Sequence, residues 1–404
     1  MLTLDKVFDA SNVLKEVIRP TACIHAPKVN PDCDVYLKTE NLQVTGSFKV
    51  RGAYYKISQL SDEEKSHGVI ACSAGNHAQG VALAATKNGI KSIICLPDGA
   101  PISKVEATKG YGAEVCLVPG VYDDAYAKAI ELRDANGYTF IHPFDDENVI
   151  AGQGTIGLEI LSQVADADVI VVPVGGGGLC TGVSTLAKLL NPKIKVIAVE
   201  PAGAACLKAS LEAGEVTTVS KINTIADGTA VQTPGDKLFP YLQANVDHVI
   251  TVDDSELTLS FLDMAENHKM IVENSGLLTV AALKHLDFKG KKVVSVLSGG
   301  NMDVLTMATV VQNGLMQRDR IFTVSVMLPD KPGQLAAVSS LIAKEQGNVI
   351  KLEHNVFANV NRTAGVELTI TLESFGTEHK DQIIKALEAA GYCPVITKTN
   401  GIYM

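Results

Sequence analysis

Short unbroken runs of Val and Ile recur through the first three quarters of the chain, and stretches with helical spacing separate them. Residues 69–72 (VIAC), 92–96 (SIICL), 168–174 (DVIVVPV), 195–199 (KVIAV) and 292–297 (KVVSVL) are the clearest. Residues 34–38 (DVYLK) and 114–118 (EVCLV) fit the same series. A strand with one wet face alternates polar and apolar residues, whereas an unbroken run needs cover on both faces. Helices are expected over 77–88, 104–109 and 149–164, with another opening at Gly178. The alternation therefore predicts an α/β fold with parallel strands between helices. In such sheets ligands bind in loops beyond the carboxyl ends of the strands.

With 404 residues, the chain is too long for one ordinary core. Its character changes near residue 320. Residues 321–328 (IFTVSVML) alternate and end at Pro329, and Asp330-Lys331-Pro332-Gly333 is turn chemistry. A helix over 334–345, strands over 349–357 and 366–372, a helix over 379–390 and a last apolar segment after Tyr392 complete the series. That order, β-α-β-β-α-β, is ferredoxin-like. The expected domains are 1–317 and 321–404.

The net charge is −10 and no basic block offsets it, which argues against a nucleic-acid partner. No apolar run approaches the ~18 residues of a membrane span. The first helix carries acids on its polar side and lacks the layout of a secretory signal, so a cytoplasmic location is expected. The eight cysteines form neither CxxC pairs nor zinc spacing, and they read as buried thiols in a reducing compartment.

Four segments carry chemistry. In Ser47-Phe48-Lys49-Val50-Arg51-Gly52, a lysine beside Phe at a helix start can sit in a dry pocket as a free amine able to form a Schiff base. A surface lysine is the plain alternative. Ser73-Ala74-Gly75-Asn76-His77 follows a strand and opens a helix, whose N–H groups bind anions such as a carboxylate. An ordinary capping turn is the plain alternative, and His77 alone reads as structural. Gly175-Gly176-Gly177-Gly178-Leu179 ends a strand and lets successive N–H groups converge on a phosphate. It is neither a Walker loop nor the dinucleotide fingerprint, because no Gly-Lys-Ser/Thr follows and Cys180 stands where the last glycine belongs. Ser298-Gly299-Gly300-Asn301 closes the last strong run, and Ser298 can meet a ligand there.

Together the four segments, in this order, resemble the fold-type II pyridoxal-phosphate (PLP) enzymes, most closely the threonine/serine dehydratase branch. The likeness spans roughly residues 1–315. It implies a tryptophan synthase β-like fold of two open twisted α/β subdomains, the smaller over roughly 45–145. It also implies that Lys49 holds PLP covalently, with Phe48 beside the ring. Asn76 meets the ring 3-hydroxyl, Gly175, Gly176, Gly177, Gly178 and Leu179 cradle the phosphate, Gly228 lies against the cofactor, and Ser298 faces the pyridine nitrogen. Ser73, Ala74, Gly75, Asn76 and His77 hold the substrate carboxylate, and Ser73 is a candidate acid/base besides Lys49. A serine at the pyridine nitrogen leaves a weaker electron sink than an aspartate, which suits β-elimination. The implied reaction is dehydration and deamination of L-threonine to 2-oxobutanoate and ammonia, with L-serine as a second substrate. Some relatives build a metal site from a Glu-Pro strand end and an Asp six residues later. Here Glu200-Pro201 is followed by Cys206, so no metal is assigned.

Residues 321–404 resemble an ACT domain, which implies an amino-acid effector and a homo-oligomer, dimer or tetramer. Two alternatives stand beside this reading. One is a serine dehydratase or serine racemase using the same residues. The other is a non-catalytic amino-acid sensor, disfavoured because a binding module has no need of the lysine.

Overall fold

The structure is a computed structural model, and it describes residues 2–355 and 365–399. The chain separates into two compact units, Met1–Asp303 and Val304–Met404. The helix Val304–Gln317 falls in the second unit, although strand character changes only at residue 321.

The first unit holds two sheets. The larger has six strands in the order Cys23–His25, Asp34–Lys38, Lys292–Val296, Val169–Pro173, Lys195–Pro201, His248–Val252. All neighbours are parallel except the edge strand Cys23–His25, which pairs antiparallel with Asp34–Lys38. Val169–Pro173 is buried at every position, as its unbroken apolar run requires. The helices Glu147–Gln163 and Gly178–Leu190 supply much of the cover, and Ile150, Ile156, Leu179, Val183 and Leu186 join Ile170, Val172 and Val196 in one core.

The smaller sheet runs Glu114–Val118, Ser92–Pro97, Val69–Cys72, Thr139–Phe140, entirely parallel. Its strands lie within the 45–145 segment and have a core of their own that includes Val69, Ala71, Ile94 and Leu96. Both sheets thus obey the parallel α/β expectation.

The second unit contains strands Ile321–Leu328, Asn348–Asn355, Val366–Glu373 and Val395–Thr397 with helices Gln334–Lys344 and Thr377–Ala389. The expected strand over 349–357 ends inside the described residues at Asn355; positions 356 and 357 lie outside them. The sheet order is Asn348–Asn355, Val366–Glu373, Ile321–Leu328, Val395–Thr397, antiparallel throughout. This is the strand order of a β-α-β-β-α-β unit in which the first strand lies beside the third. Val324, Val326, Leu368, Ile370, Val338 and Ile383 form its core. Asn348–Asn355 is an edge strand exposed at every position.

All eight cysteines are free thiols. Burial does not hold for all of them: Cys393 is exposed and Cys23 and Cys116 are partly exposed, because they lie on strand edges and a terminal segment rather than in sheet centres.

Candidate active site

The four sequence segments meet at one place in the first unit. Ser47 bridges to Gly299, and the Phe48 N–H donates to the Ser298 carbonyl at 3.1 Å. The Asn301 amide donates to the Thr45 carbonyl at 2.7 Å and to Asn76 Oδ1 at 2.9 Å. These bonds join the lysine segment, the Ser73–His77 turn and the Ser298–Asn301 turn. The cavity they surround has a volume of about 630 Å³. Every predicted site residue lines it: Phe48, Lys49, Ser73, Ala74, Gly75, Asn76, His77, Gly175 to Leu179, Gly228 and Ser298.

Lys49 is the first residue of the helix Lys49–Ser58. Its Nζ donates to the Pro143 carbonyl at 3.0 Å and lies 5.2 Å from the Phe48 ring centre. Burial pushes the amine down to about 8, against the pull of the Glu273 carboxyl. A free amine is therefore available near neutrality. Two residues on, Arg51 ties this helix into a buried ionic cluster with Glu40 and Glu159, so Lys49 stands on a rigid base.

The His77 ring is engaged by the backbone. Its Nε2 meets the Ile141 carbonyl at 2.8 Å, and since a carbonyl only accepts, Nε2 carries the hydrogen. Burial, helped by the Lys49 charge, drives this imidazole down to about 3, so it is neutral. His77 can therefore offer the cleft its backbone rather than its ring. Ser73 Oγ accepts the Gly75 N–H at 3.2 Å, which shapes the turn before the helix Asn76–Lys87.

The glycine loop leads into the helix Gly178–Leu190, whose first N–H groups have no acceptor within the helix. Gly177 has φ +98°, a left-handed conformation. At Gly176 a Cβ would lie 2.4 Å from the Phe144 ring, so only glycine fits there. A curl of N–H groups ahead of a helix N-terminus suits a phosphate. With Lys49 at the other side of the cleft and Ser298 only 3 % exposed, the residues present fit PLP.

Several lining residues carry no readable signal in the sequence. Glu273 accepts from Asn76 Nδ2 at 2.7 Å, yet its segment ENSGLL reads as a helix start, and Glu273 is indeed the N-cap of Asn274–Ala282. Phe144 and Pro143 lie in an irregular stretch. Lys104 and Asp227 meet at 2.7 Å and both line the cavity, linking its two sides. Asp227 directly precedes Gly228, the residue that the resemblance sets against the cofactor.

At Glu200 the structure shows a carboxylate with its oxygens taken. They accept the Leu207 and Lys208 N–H groups at 2.7 and 2.9 Å, and Cys206 Sγ contacts the Gly175 carbonyl at 3.7 Å. No cluster of three or more metal-ligating side chains exists among the described residues.

Residues 14–299 match the model of the pyridoxal-phosphate dependent enzymes, and the chain belongs to that family. Its cofactor is pyridoxal 5′-phosphate. Among its relatives, an L-threonine ammonia-lyase of Thermotoga maritima is 42 % identical over 97 % of this chain and 98 % of its own length. The catabolic L-threonine dehydratase of Escherichia coli is 41 % identical over 76 % of this chain and 96 % of that enzyme. Among solved structures, the processed threonine deaminase isoform 2 of Solanum lycopersicum is 36 % identical, with a TM-score of 0.73 over 77 % of this chain and 94 % of that one. Maize serine racemase is 34 % identical with the same TM-score of 0.73, over 79 % of this chain and 99 % of that one. These neighbours give the catalytic part the fold-type II architecture. No helix among the described residues is long and apolar enough to cross a membrane.

Proposed function

We propose that the chain is an L-threonine ammonia-lyase, converting L-threonine to 2-oxobutanoate and ammonia, with L-serine to pyruvate as a second reaction. The observation that carries the reading is the convergence of Lys49, Asn76, the glycine loop and Ser298 on one cavity. Threonine ammonia-lyases about 40 % identical along nearly the whole chain support it.

When bound, the cofactor supplies an electron sink that acidifies the substrate Cα–H. The chain does the rest. Gly175, Gly176, Gly177, Gly178 and Leu179 would hold the phosphate by N–H groups, with Phe48 and Gly228 against the ring. Asn76 would donate to the ring 3-oxygen. Ser298, a neutral hydroxyl, would serve the pyridine nitrogen without protonating it. The N–H groups of Ala74, Gly75, Asn76 and His77, with the Ser73 hydroxyl, orient the substrate carboxylate. Lys49 Nζ binds the cofactor and then takes the Cα proton, a role its lowered basicity suits. Ser73, which also lines the cavity, is the second acid/base candidate.

The second unit is read as an ACT-like regulatory domain that binds an amino-acid effector, in a cytoplasmic homo-oligomer. Its strand order and its turn before the helix Gln334–Lys344 support this, and Asn348–Asn355, exposed at every position, lies at the border of the sheet. Relatives named biosynthetic threonine dehydratases make isoleucine and valine the first effectors to test.

Similarity to maize serine racemase favours one further reading, racemisation of serine on the same residues. A steady-state assay of 2-oxobutanoate, pyruvate and D-serine decides between them. Threonine turnover exceeding D-serine formation supports the ammonia-lyase; the reverse overturns it. Lys49→Ala should abolish both turnover and the covalent cofactor band; a variant that keeps them shows that Lys49 is not the attachment point.

A further inference from the structure

We propose that Glu273 is a positioning residue for this reaction: its buried carboxyl clamps the Asn76 amide so that one N–H is left for the cofactor's ring oxygen, and its own proton sets the charge felt there. The inference rests on the role given to Asn76 above.

A primary amide has one oxygen and two N–H groups to place. The oxygen of Asn76 accepts from Asn301 Nδ2 at 2.9 Å, and one N–H goes to Glu273 Oε1 at 2.7 Å. Asn301 is itself held, because its Nδ2 also donates to the Thr45 carbonyl at 2.7 Å. Flipping Asn76 would set its N–H groups against those of Asn301, and its oxygen against the Glu273 carboxyl once that is ionised. The pair of partners therefore fixes which end of the amide is free to donate. Removing Glu273 would free the amide to rotate.

The backbone is arranged to admit this carboxyl. A Cβ at Gly299 would lie 2.3 Å from Glu273 Oε1. The Glu273 N–H donates to the Gly299 carbonyl at 3.0 Å, which locks the residue to the Ser298–Asn301 turn. Glu273 is only 7 % exposed.

A glutamine would accept from Asn76 equally well, so what the carboxyl adds is a proton. The charged groups facing it are Asp227 and Lys104, which pair with each other at 2.7 Å, and Lys49. Burial first, and then Asp227, push the Glu273 carboxyl up to about 8, against Asn76 and Lys104. It is neutral at pH 7 and anionic above its titration. An anion so placed repels the cofactor's ring oxygen, so cofactor affinity falls as pH rises through about 8.

The test uses the full-length holoenzyme, its visible cofactor spectrum across pH, and the cofactor retained after gel filtration. Wild type is expected to show a spectral transition near pH 8. Glu273→Gln, which keeps the acceptor and lacks the proton, is expected to hold the cofactor without that transition. Glu273→Leu is expected to retain at least tenfold less cofactor than Glu273→Gln, and combining it with Asn76→Ala should add little further loss. An unchanged transition in Glu273→Gln, or no transition in wild type, overturns the proposal whether or not the leucine variant folds. Equal retention in the leucine and glutamine variants overturns the clamp. Absence of any covalent cofactor band in wild type would instead sink the site reading itself.

Discussion

The Arg51 guanidinium and the Glu40 carboxylate face each other as two parallel bonds, Nε to Oε2 and Nη2 to Oε1, both 2.8 Å long and both side chains fully buried. Arg51 also donates to Glu159 at 2.7 Å, and Thr21 donates to Glu40. Removing one member of such a cluster strands the others without solvent. Arg51→Ala is expected to cost about 3–5 kcal/mol of stability. Denaturant unfolding of the holoenzyme measures it, and a loss below about 1 kcal/mol would show that the cluster contributes little.

Gly176→Ala drives a methyl group to within 2.4 Å of the Phe144 ring. Either the ring or the loop must move, and the loop's N–H groups then no longer converge. Cofactor affinity is expected to fall tenfold or more, about 1.4 kcal/mol, with smaller effect on threonine half-saturation in the presence of saturating PLP. Equilibrium dialysis of PLP checks this; unaltered affinity would place the phosphate elsewhere.

Ser298→Asp puts an acid where a neutral hydroxyl now lies. If Ser298 meets the pyridine nitrogen, the aspartate protonates it and strengthens the electron sink. Elimination is expected to fall while side reactions rise. Steady-state product analysis reads both, and kinetics and cofactor affinity equal to wild type would remove Ser298 from the ring.

Acid stability follows from the two histidines near Lys49. Burial holds His77 down to about 3 and His142 to about 4, with the Lys49 charge adding to both. Below the ordinary imidazole range near 6.5, the unfolded chain takes up protons that the folded rings refuse. Stability is full above that range and falls as pH drops, by up to about 1.4 kcal/mol per pH unit for His77. Urea unfolding at pH 7 and pH 5 should show the loss, and His77→Gln should make it shallower. An identical slope in the variant would mean that His77 titrates normally.

A chain ending at Gln317 tests the regulatory reading. It is expected to remain an active threonine ammonia-lyase that no longer responds to isoleucine or valine. In the full chain the coupling between the two ligands is expected to be ~1–3 kcal/mol, several-fold to a hundred-fold in threonine half-saturation. Rate, affinity and assembly of the full chain that ignore amino acids would leave the second unit without a regulatory role.

What the sequence by itself determined was local in origin. Val169–Pro173 reads as a buried parallel strand because five consecutive apolar residues need cover on both faces. Ile321–Leu328 reads as a strand because it alternates, although seven of its eight positions are buried, and Gly175 to Gly178 read as a tight loop because only glycine lets the backbone curl that far. Short edge strands such as Cys23–His25 and Thr139–Phe140 escaped notice, since two or three residues carry no period. The tertiary structure alone decided that His77 spends its ring on Ile141, and that Asn76 is held by Glu273, 197 residues away. Periodicity and turn chemistry act over a few residues and are written in their spacing. A hydrogen-bond partner across the cleft depends on how two sheets place their loops, and no local pattern around Glu273 distinguishes it from an ordinary helix cap.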